Sequence, residues 1–458
     1  MQTGQVPRFL SARPDSRLIP LPWSTPLADW PTEHLVALPR GISRHVVRFI
    51  KVGSDVYAAK EVLEHLALHE YRLLHDLTRL ATPSVVPVGV VTGRVGPDGP
   101  LDPVLLTQHL QFSLPYRSLF APGVRSETVS RLLDAMVVLL ARLHLTGFLW
   151  GDVSLSNCLF RRDAGSFAAY LVDAETGELH DTLTDGQRAH DLQIARTNLF
   201  GEFSDLEAGG LLDEALDPQQ LVDTIEARYR ELWDELTGVE EFDQSEMHRI
   251  EGRVRRLNAL GFDVAELDIV TDLDGSTVRI QPKVVDAGHH SRRLLRLTGL
   301  DTEENQARRL LNDLDTFRAR TDQQGADEAI VAHQWLTTNF EPVIAAVPPD
   351  LRAKRDAAEI FHEVLEYRWY SSERAGYDIG LMEAAQGYVD NVLRTLEDEA
   401  MAAAPLPERR LANPYDPSQG FAEDTDQAPY DPWEAEAEEV DVRAGSFLDI
   451  DALRRSRG

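Results

Sequence analysis

The period of the apolar positions changes several times along the chain. Between residues 35 and 60 apolar residues come in short, β-branched and aromatic-rich blocks: 35–38, 46–52 and 56–60. The turns Pro39-Arg40-Gly41 and Gly53-Ser54-Asp55 separate them, which predicts three strands. Residues 61–80 switch to helical spacing, with Leu63, Leu66, Tyr71, Leu74 and Leu77 on one stripe. Strand-like blocks return at 85–91 and 103–108. Residues 127–146 form a strong amphipathic helix, with Val129, Leu132, Leu133, Met136, Leu139, Leu140 and Leu143 at three- and four-residue steps, Ser126 as N-cap and Gly147 as terminator. Short strands at 158–160 and 168–172 flank the turn Arg162-Asp163-Ala164-Gly165, and beyond about 185 the pattern is mainly helical.

A second region opens near 210–220. Residues 219–237 and 244–260 carry helical stripes, 264–271 and 277–285 read as strands around Asp272-Leu273-Asp274-Gly275, and helical spacing resumes at 302–319, 326–340 and 354–400. This divides the chain into an extended, Pro-rich segment (1–34), a mixed domain (35–210), a mostly helical α+β domain (211–400) and a disordered acidic tail (401–458).

Composition narrows the function classes. Of 458 residues, 46 are Lys or Arg and 76 are Asp or Glu, a formal net charge of −30. Such a charge opposes non-specific binding to nucleic acid and to anionic membranes. No stretch is long and apolar enough for a membrane span, and the proline-interrupted N-terminus is no signal peptide. A single cysteine, Cys158, excludes an internal disulfide and a thiolate zinc site, and suits a reducing cytoplasm. In an apolar strand it reads as a small buried hydrophobe.

The candidate chemistry lies in Trp150-Gly151-Asp152-Val153-Ser154-Leu155-Ser156-Asn157, followed by Val172-Asp173-Ala174-Glu175. Asn157 stands five residues after Asp152, and Asp173 follows a strand. Upstream, Lys60 ends a strand and Glu70 lies on the next helix. Phosphoryl transfer needs this inventory: hard oxygen ligands for Mg²⁺, a cation on the phosphates, and a carboxylate at the attacking hydroxyl. Glu61 and Glu64 compete with Glu70, whose place further along the helix favours it.

On these residues the chain resembles the protein kinase superfamily, in which an Asn five residues after the catalytic Asp precedes a metal-binding Asp. Gly-Asp in place of Arg-Asp is similar to the small-molecule and lipopolysaccharide-core kinase branch, with its aminoglycoside and choline kinase relatives. The resemblance covers about residues 35–210. It implies a two-lobed protein-kinase-like domain in which Asp152 is catalytic, Asn157 and Asp173 bind Mg²⁺, and Lys60 with Glu70 hold ATP phosphates. Asp191 matches the helix Asp that braces the catalytic loop in that superfamily; its other reading is a helix cap.

Departures from the pattern are specific. No G-x-G-x-x-G precedes Lys60; in its place stands a turn with one glycine, where Gly41, Arg40 and Arg44 are the candidates for holding phosphates. Trp150 stands where the family usually has His, Ala-Glu follows Asp173 instead of Phe-Gly, and there is no Ala-Pro-Glu. A protein kinase controlled through its activation loop is thereby disfavoured. Two readings remain on this half: an atypical phosphotransferase using nucleotide and a small-molecule or glycan-type acceptor, and a nucleotide-binding pseudokinase scaffold.

In the second half, 283–297 is a basic island with Lys283, His289, His290, Arg292, Arg293 and Arg296. It reads either as a nucleic-acid or phosphate patch or, preferably, as an exposed helix face with Leu294, Leu295 and Leu297 turned inward. Asp272-Leu273-Asp274-Gly275 lacks the carboxylate a calcium loop needs at its twelfth position and reads as a hairpin turn. Glu359, His362 and Glu366 share a helix face with metal-like spacing, but one His among carboxylates is usually an ion pair. Asn339, Arg368, Trp369 and Tyr370 assign no chemistry. This half also resembles an actinobacterial family described only as a domain of unknown function, which leaves it, with the tail, as a place for a protein partner.

Overall fold

The computed structural model describes residues 7–38, 45–120, 126–238, 240–243, 252–253, 262–271 and 277–396, with the backbone alone at 240–243, 263–271 and 277–287. It is α+β, with the sheets concentrated in the first half and the helices in the second. All the elements named below belong to one compact unit.

The first layer is a six-stranded sheet of β1 (Arg8–Leu10), β2 (Leu35–Val36), β3 (Val46–Val52), β4 (Asp55–Glu61), β5 (Pro87–Thr92) and β8 (Val104–Gln108), in the order β1-β5-β8-β4-β3-β2. A small ribbon of β6 (Val95–Gly96) and β7 (Gly99–Pro100) links β5 to β8. Strand alternation divides the sheet's side chains between two cores. Val90 and Leu105 face α1 (Glu64–Arg79) with Val62, Ala67 and Tyr71. Val91, Val104 and Leu106 face the other way, onto Leu18, Trp23, Leu27 and Trp30. The N-terminal segment is therefore more than an extended leader: it adds β1 to the sheet edge and lays two tryptophans on one face. Trp23 Nε1 donates to Leu18 O at 2.8 Å, so the buried indole keeps its hydrogen bond.

The next layer comprises β9 (Ser113–Pro115), α2 (Tyr116–Leu119), α3 (Ser126–Leu145), β10 (Phe148–Leu149), β11 (Cys158–Asp163), β12 (Ser166–Leu171) and β13 (Glu178–Leu179). The sheet β12-β11-β9 and the pair β10-β13 frame the 150–157 loop. α3 is apolar on most of its circumference, and it packs on β12 and on α5 (Pro218–Thr237). α4 (Asp185–Ala208) opens on a capping box between Thr184 and Gln187 and runs past the same loop.

The second half holds β14 (Glu240–Asp243), β15 (Phe262–Thr271) and β16 (Thr277–Ala287) in the order β14-β16-β15. Then come α6 (His289–Thr298), α7 (Glu304–Arg320), α8 (Glu328–Trp335), α9 (Glu341–Ala346), α10 (Ala357–Ala375) and α11 (Leu381–Asn391). Their shared core includes Leu294, Leu310, Trp335, Phe361 and Tyr388.

Three helical expectations need correction. The 354–400 stripe is two helices, because α10 ends on Gly376 in the left-handed conformation (φ 77°), and Gly380, ahead of α11, has a positive φ as well but an extended ψ of 157°. The 326–340 stripe carries a π-helical stretch, Leu336–Phe340, between α8 and α9. On α6 only Leu294 is fully buried, while Leu295 is 45% exposed. The expected helix at 244–260 (but for 252–253), the hairpin turn at 272–275 and the tail beyond 396 lie outside the described residues.

Candidate functional site

Lys60 lies one residue from the end of β4, opposite Val47 on β3 and Leu105 on β8. Its side chain sits under the sheet, where Nζ meets three carboxylates: Glu70 Oε2 at 3.0 Å, Asp173 Oδ2 at 2.9 Å and Glu175 Oε2 at 2.8 Å. Glu70 is on the buried stripe of α1 with Ala67 and Leu74, at 1% exposure, and its second oxygen accepts from Ala174 N at 3.4 Å. Glu61, the competing carboxylate, pairs with Arg94, and Glu64 is exposed.

Charge does not balance here. One ammonium serves three carboxylates, and among the described residues Glu70, Asp173 and Glu175 are the group whose oxygens all lie within 4.8 Å of one another. Burial disfavours the Lys60 ammonium, but Glu70 and Asp173 outweigh that and hold its pKa above the usual lysine range. Burial first, and the Asp173 charge second, push Glu70 up to about 7, against the pull of Lys60. His45, just before β3, brings Nε2 to 3.0 Å from Glu175 Oε2.

The 150–157 loop is held mainly from one helix. Asp191 of α4, fully buried, accepts from Trp150 N at 2.7 Å and Gly151 N at 2.8 Å. It also meets His144 Nε2 at 3.1 Å, while His144 Nδ1 faces Tyr229 Oη at 2.5 Å. Seven residues on, Asn198 Nδ2 donates to Asp152 Oδ1 at 2.9 Å and to Val153 O at 3.2 Å. Four further, Glu202 accepts from Leu155 N at 2.7 Å, from Ser156 N at 2.8 Å and from the Ser156 hydroxyl. Positions 191, 198 and 202 share one face of the helix. Gly151 has φ 75°, and a Cβ there would stand 2.9 Å from Thr176 O, so the glycine of Gly-Asp is a backbone requirement.

Asp152 is half-buried, with both carboxylate oxygens on amide donors: Asn198 on one, and Asn157 Nδ2 at 3.0 Å on the other. Asn157 thus turns its side chain to Asp152, while its main-chain O accepts from Val172 N at 3.0 Å. That bond opens the β11–β12 pairing, which runs from Cys158↔Leu171 to Asp163↔Ser166. Asn157 and Asp173 therefore stand at the two open ends of one hairpin.

The structure joins Lys60, Glu70 and Asp173 directly, joins Asp152 to Asn157 directly, and links the two groups through the base of the hairpin. Gly41 and Arg44, together with Arg40, lie outside the described residues. Asp191 holds the loop and does not cap its helix. Glu175, Asn198 and Glu202 were given no role from the sequence; the 7- and 11-residue steps from Asp191 are the signal that could have found the last two. Cys158 is buried beside Met136, its thiol pushed well up by burial. Glu359, His362 and Glu366 do not gather as metal ligands, since Glu359 accepts from Ala164 N and Gln306 Nε2. On the basic island, Arg293 pairs with Glu328, and Glu304 accepts from His290 N and Ser291 N. The side chain of Lys283 is outside the described set.

Residues 231–393 match the family model described as a domain of unknown function, DUF4032. None of the curated proteins matches the chain. Among solved structures, one titled "WaaP in complex with acyl carrier protein" is 15% identical, over 55% of this chain and 99% of its own, at a TM-score of 0.33. No helix among the described residues is long and apolar enough to cross a membrane. What the site can do is read from its own side chains.

Proposed function

We propose that the chain is an atypical ATP- and Mg²⁺-dependent phosphotransferase acting on a hydroxyl of a small-molecule or glycan-type acceptor. The observation that carries this reading is the convergence of Lys60, Glu70 and Asp173 beside the braced loop that presents Asp152. The donor set suits a hard divalent cation: carboxylate oxygens dominate, with the single Lys60 ammonium standing among three carboxylate groups. Asp173 and Asn157 would hold Mg²⁺, which supplies charge neutralisation at the phosphates when bound.

The remaining roles fall to the chain. Lys60, oriented by buried Glu70, would turn its ammonium to phosphate oxygens as the carboxylates beside it take up the cation. Asp152 would accept or orient the proton of the acceptor hydroxyl. Its two amide donors fix the carboxylate in place. Gly41 and Arg44, expected at the phosphates, remain part of the proposal on sequence alone. Glycine at 151 and the α4 carboxylates support the reading by fixing where the Asp152 side chain starts.

Calorimetric titration of ATP, with and without Mg²⁺, tests the site. Binding that requires Mg²⁺ and is lost in Asp173→Asn supports it; Mg²⁺-independent binding, or none, refutes it. Phosphate release with candidate acceptors then tests turnover, which Asp152→Asn abolishes while retaining nucleotide.

One contact favours a second reading, a nucleotide-regulated scaffold without turnover. Glu175 already occupies the Lys60 ammonium at 2.8 Å. Mg²⁺-nucleotide binding with no phosphate release for any acceptor, and no change in Asp152→Asn, would select it.

A further inference from the structure

We infer that the helical second half is a positioning element for the proposed metal site: the α7 N-terminus and Glu359 grip the β11–β12 hairpin and so set Asn157 and Asp173 against each other. The inference rests on the reading of those two residues as metal ligands, and on geometry that nothing in the 150–175 segment itself explains.

The hairpin tip enters the second half. Asp163, 3% exposed, ends β11, and its carboxylate caps a helix 142 residues away. Asn305 N at 3.1 Å, Asn305 Nδ2 at 2.9 Å and Gln306 N at 2.7 Å all donate to it. A helix N-terminus leaves such N–H groups unpaired and favours negative charge, so Asp163 and α7 satisfy each other. Gln306 Nε2 then reaches both Arg162 O at 3.0 Å and Glu359 Oε2 at 2.8 Å. Glu359 in turn accepts from Ala164 N at 2.9 Å. Ala164 has φ 50° and Gly165 φ 81°, the mirror-image turn that matches strand twist but strains a residue bearing a Cβ. The strained position is the one held from α10.

A second grip lies lower on the hairpin. Glu303, just before α7, accepts from the Tyr170 hydroxyl at 2.8 Å and pairs with Arg161 at 2.8 Å. Arg161 lies on β11, and Tyr170 is next to the last residue of β12. Both strands are thus tied to one carboxylate, two residues from Val172 and four from Asn157.

Buried polar seams of this kind cost more to desolvate than a hydrophobic contact would, and they return geometric specificity when every member is paired. The members here converge on one hairpin whose open ends carry the site. Losing a partner that holds a metal ligand directly typically costs about 10- to 100-fold in metal affinity; the seam acts through the strands that carry Asn157 and Asp173, so the lower end applies.

The test uses the full-length chain with Glu303→Gln and Gln306→Ala in the seam, and Tyr388→Phe as a control that removes a hydrogen bond within the second half alone. Hydrogen exchange is followed over 158–171, and the Mg²⁺ concentration for half-maximal ATP binding is measured by calorimetry. Expected are exchange at least ~10-fold faster in the hairpin and a half-saturating Mg²⁺ raised about 10-fold in both seam variants, with neither readout moved in Tyr388→Phe. Seam variants that behave like the control, or that loosen the hairpin without moving Mg²⁺ dependence, overturn the inference. Should the wild type bind no Mg²⁺-ATP, the phosphotransferase reading fails, and exchange alone decides whether the second half grips the hairpin. If Gln306→Ala does not fold, Asn305→Ala, which removes only the Nδ2 donor, replaces it.

Discussion

Replacing Asp191 with Ala removes the acceptor on which the start of the 150–157 loop depends. Three donors converge on it: Trp150 N, Gly151 N and His144 Nε2, at 2.7, 2.8 and 3.1 Å. A buried donor left unsatisfied costs about 1–3 kcal/mol. Gly151 is only half-buried, so water can serve its N–H, whereas Trp150 and His144 are fully enclosed. Two full penalties and one of about half size give about 2.5–7.5 kcal/mol, against a typical total stability of about 5–15 kcal/mol. Asp191→Asn keeps one acceptor oxygen, so its cost is about 1–3 kcal/mol. Urea unfolding followed by tryptophan fluorescence measures both, with the midpoint falling and the slope unchanged. The ordering Ala, then Asn, then wild type is required. A loss below about 1 kcal/mol for Asp191→Ala would mean that the loop keeps its shape without this acceptor, and the account of α4 as its brace would be wrong.

Glu202→Ala leaves Leu155 N and Ser156 N without their acceptor and is expected to cost about 2 kcal/mol, with Glu202→Gln recovering about half; equal costs in urea unfolding would refute the hydrogen-bond account. Glu175→Gln frees Lys60 from one of its three carboxylates, so binding of Mg²⁺-ATP should tighten about 10-fold, or ~1.4 kcal/mol, by calorimetry. Weaker binding would assign Glu175 to holding the nucleotide. Burial, then the charge of Glu303, raises Asp163 to about 7, and burial with Asp173 does the same to Glu70. In the folded state both keep their protons to higher pH than in the unfolded chain. The unfolded chain releases them first as pH rises through about 4 to 7, so stability declines across that window and levels off above it. Urea midpoints between pH 4 and 8 should show this fall, flattened in Glu70→Gln; a rise across the same window would contradict it.

Local patterning announced most of the first half. The strand blocks at 46–52 and 56–60, the 127–146 stripe and the Asp152–Asn157 spacing each depend on neighbours within a few positions, where side-chain period and backbone chemistry act together. What stayed hidden depends on partners far along the chain. Nothing near residue 23 says that Trp23 and Trp30 cover a sheet. Nothing near Asp163 says that its carboxylate will cap a helix at 304. The N-terminal segment reads as merely extended and 162–165 as a plain turn because the contacts that bury Trp23, Trp30, Asp163 and Ala164 come from residues distant in the sequence. The 354–400 helix was overread for a different reason: apolar spacing continues through Gly376 and Gly380, and only their positive φ ends the first helix and offsets the second.

The braces explain why the candidate chemistry was visible at all. Gly151, Asp152 and Asn157 are tied to their types by backbone strain and by mutual hydrogen bonds, so their spacing is rigid and reads directly from sequence. Asn198 and Glu202 answer to geometry alone: any acceptor or amide at the right helical phase from Asp191 would serve. A role shared among interchangeable residues leaves no motif, only a phase. The same holds at the seam, where Asp163, Glu303 and Glu359 look like three more carboxylates in a chain that has 76 acidic residues. Their burial separates them from the rest, because a carboxylate enclosed on both sides persists only where donors meet it. In this protein the donors are exchanged across one seam: α7 supplies those of Asp163, and the hairpin that leads to Asn157 and Asp173 supplies Ala164 N to Glu359 and the Tyr170 hydroxyl to Glu303.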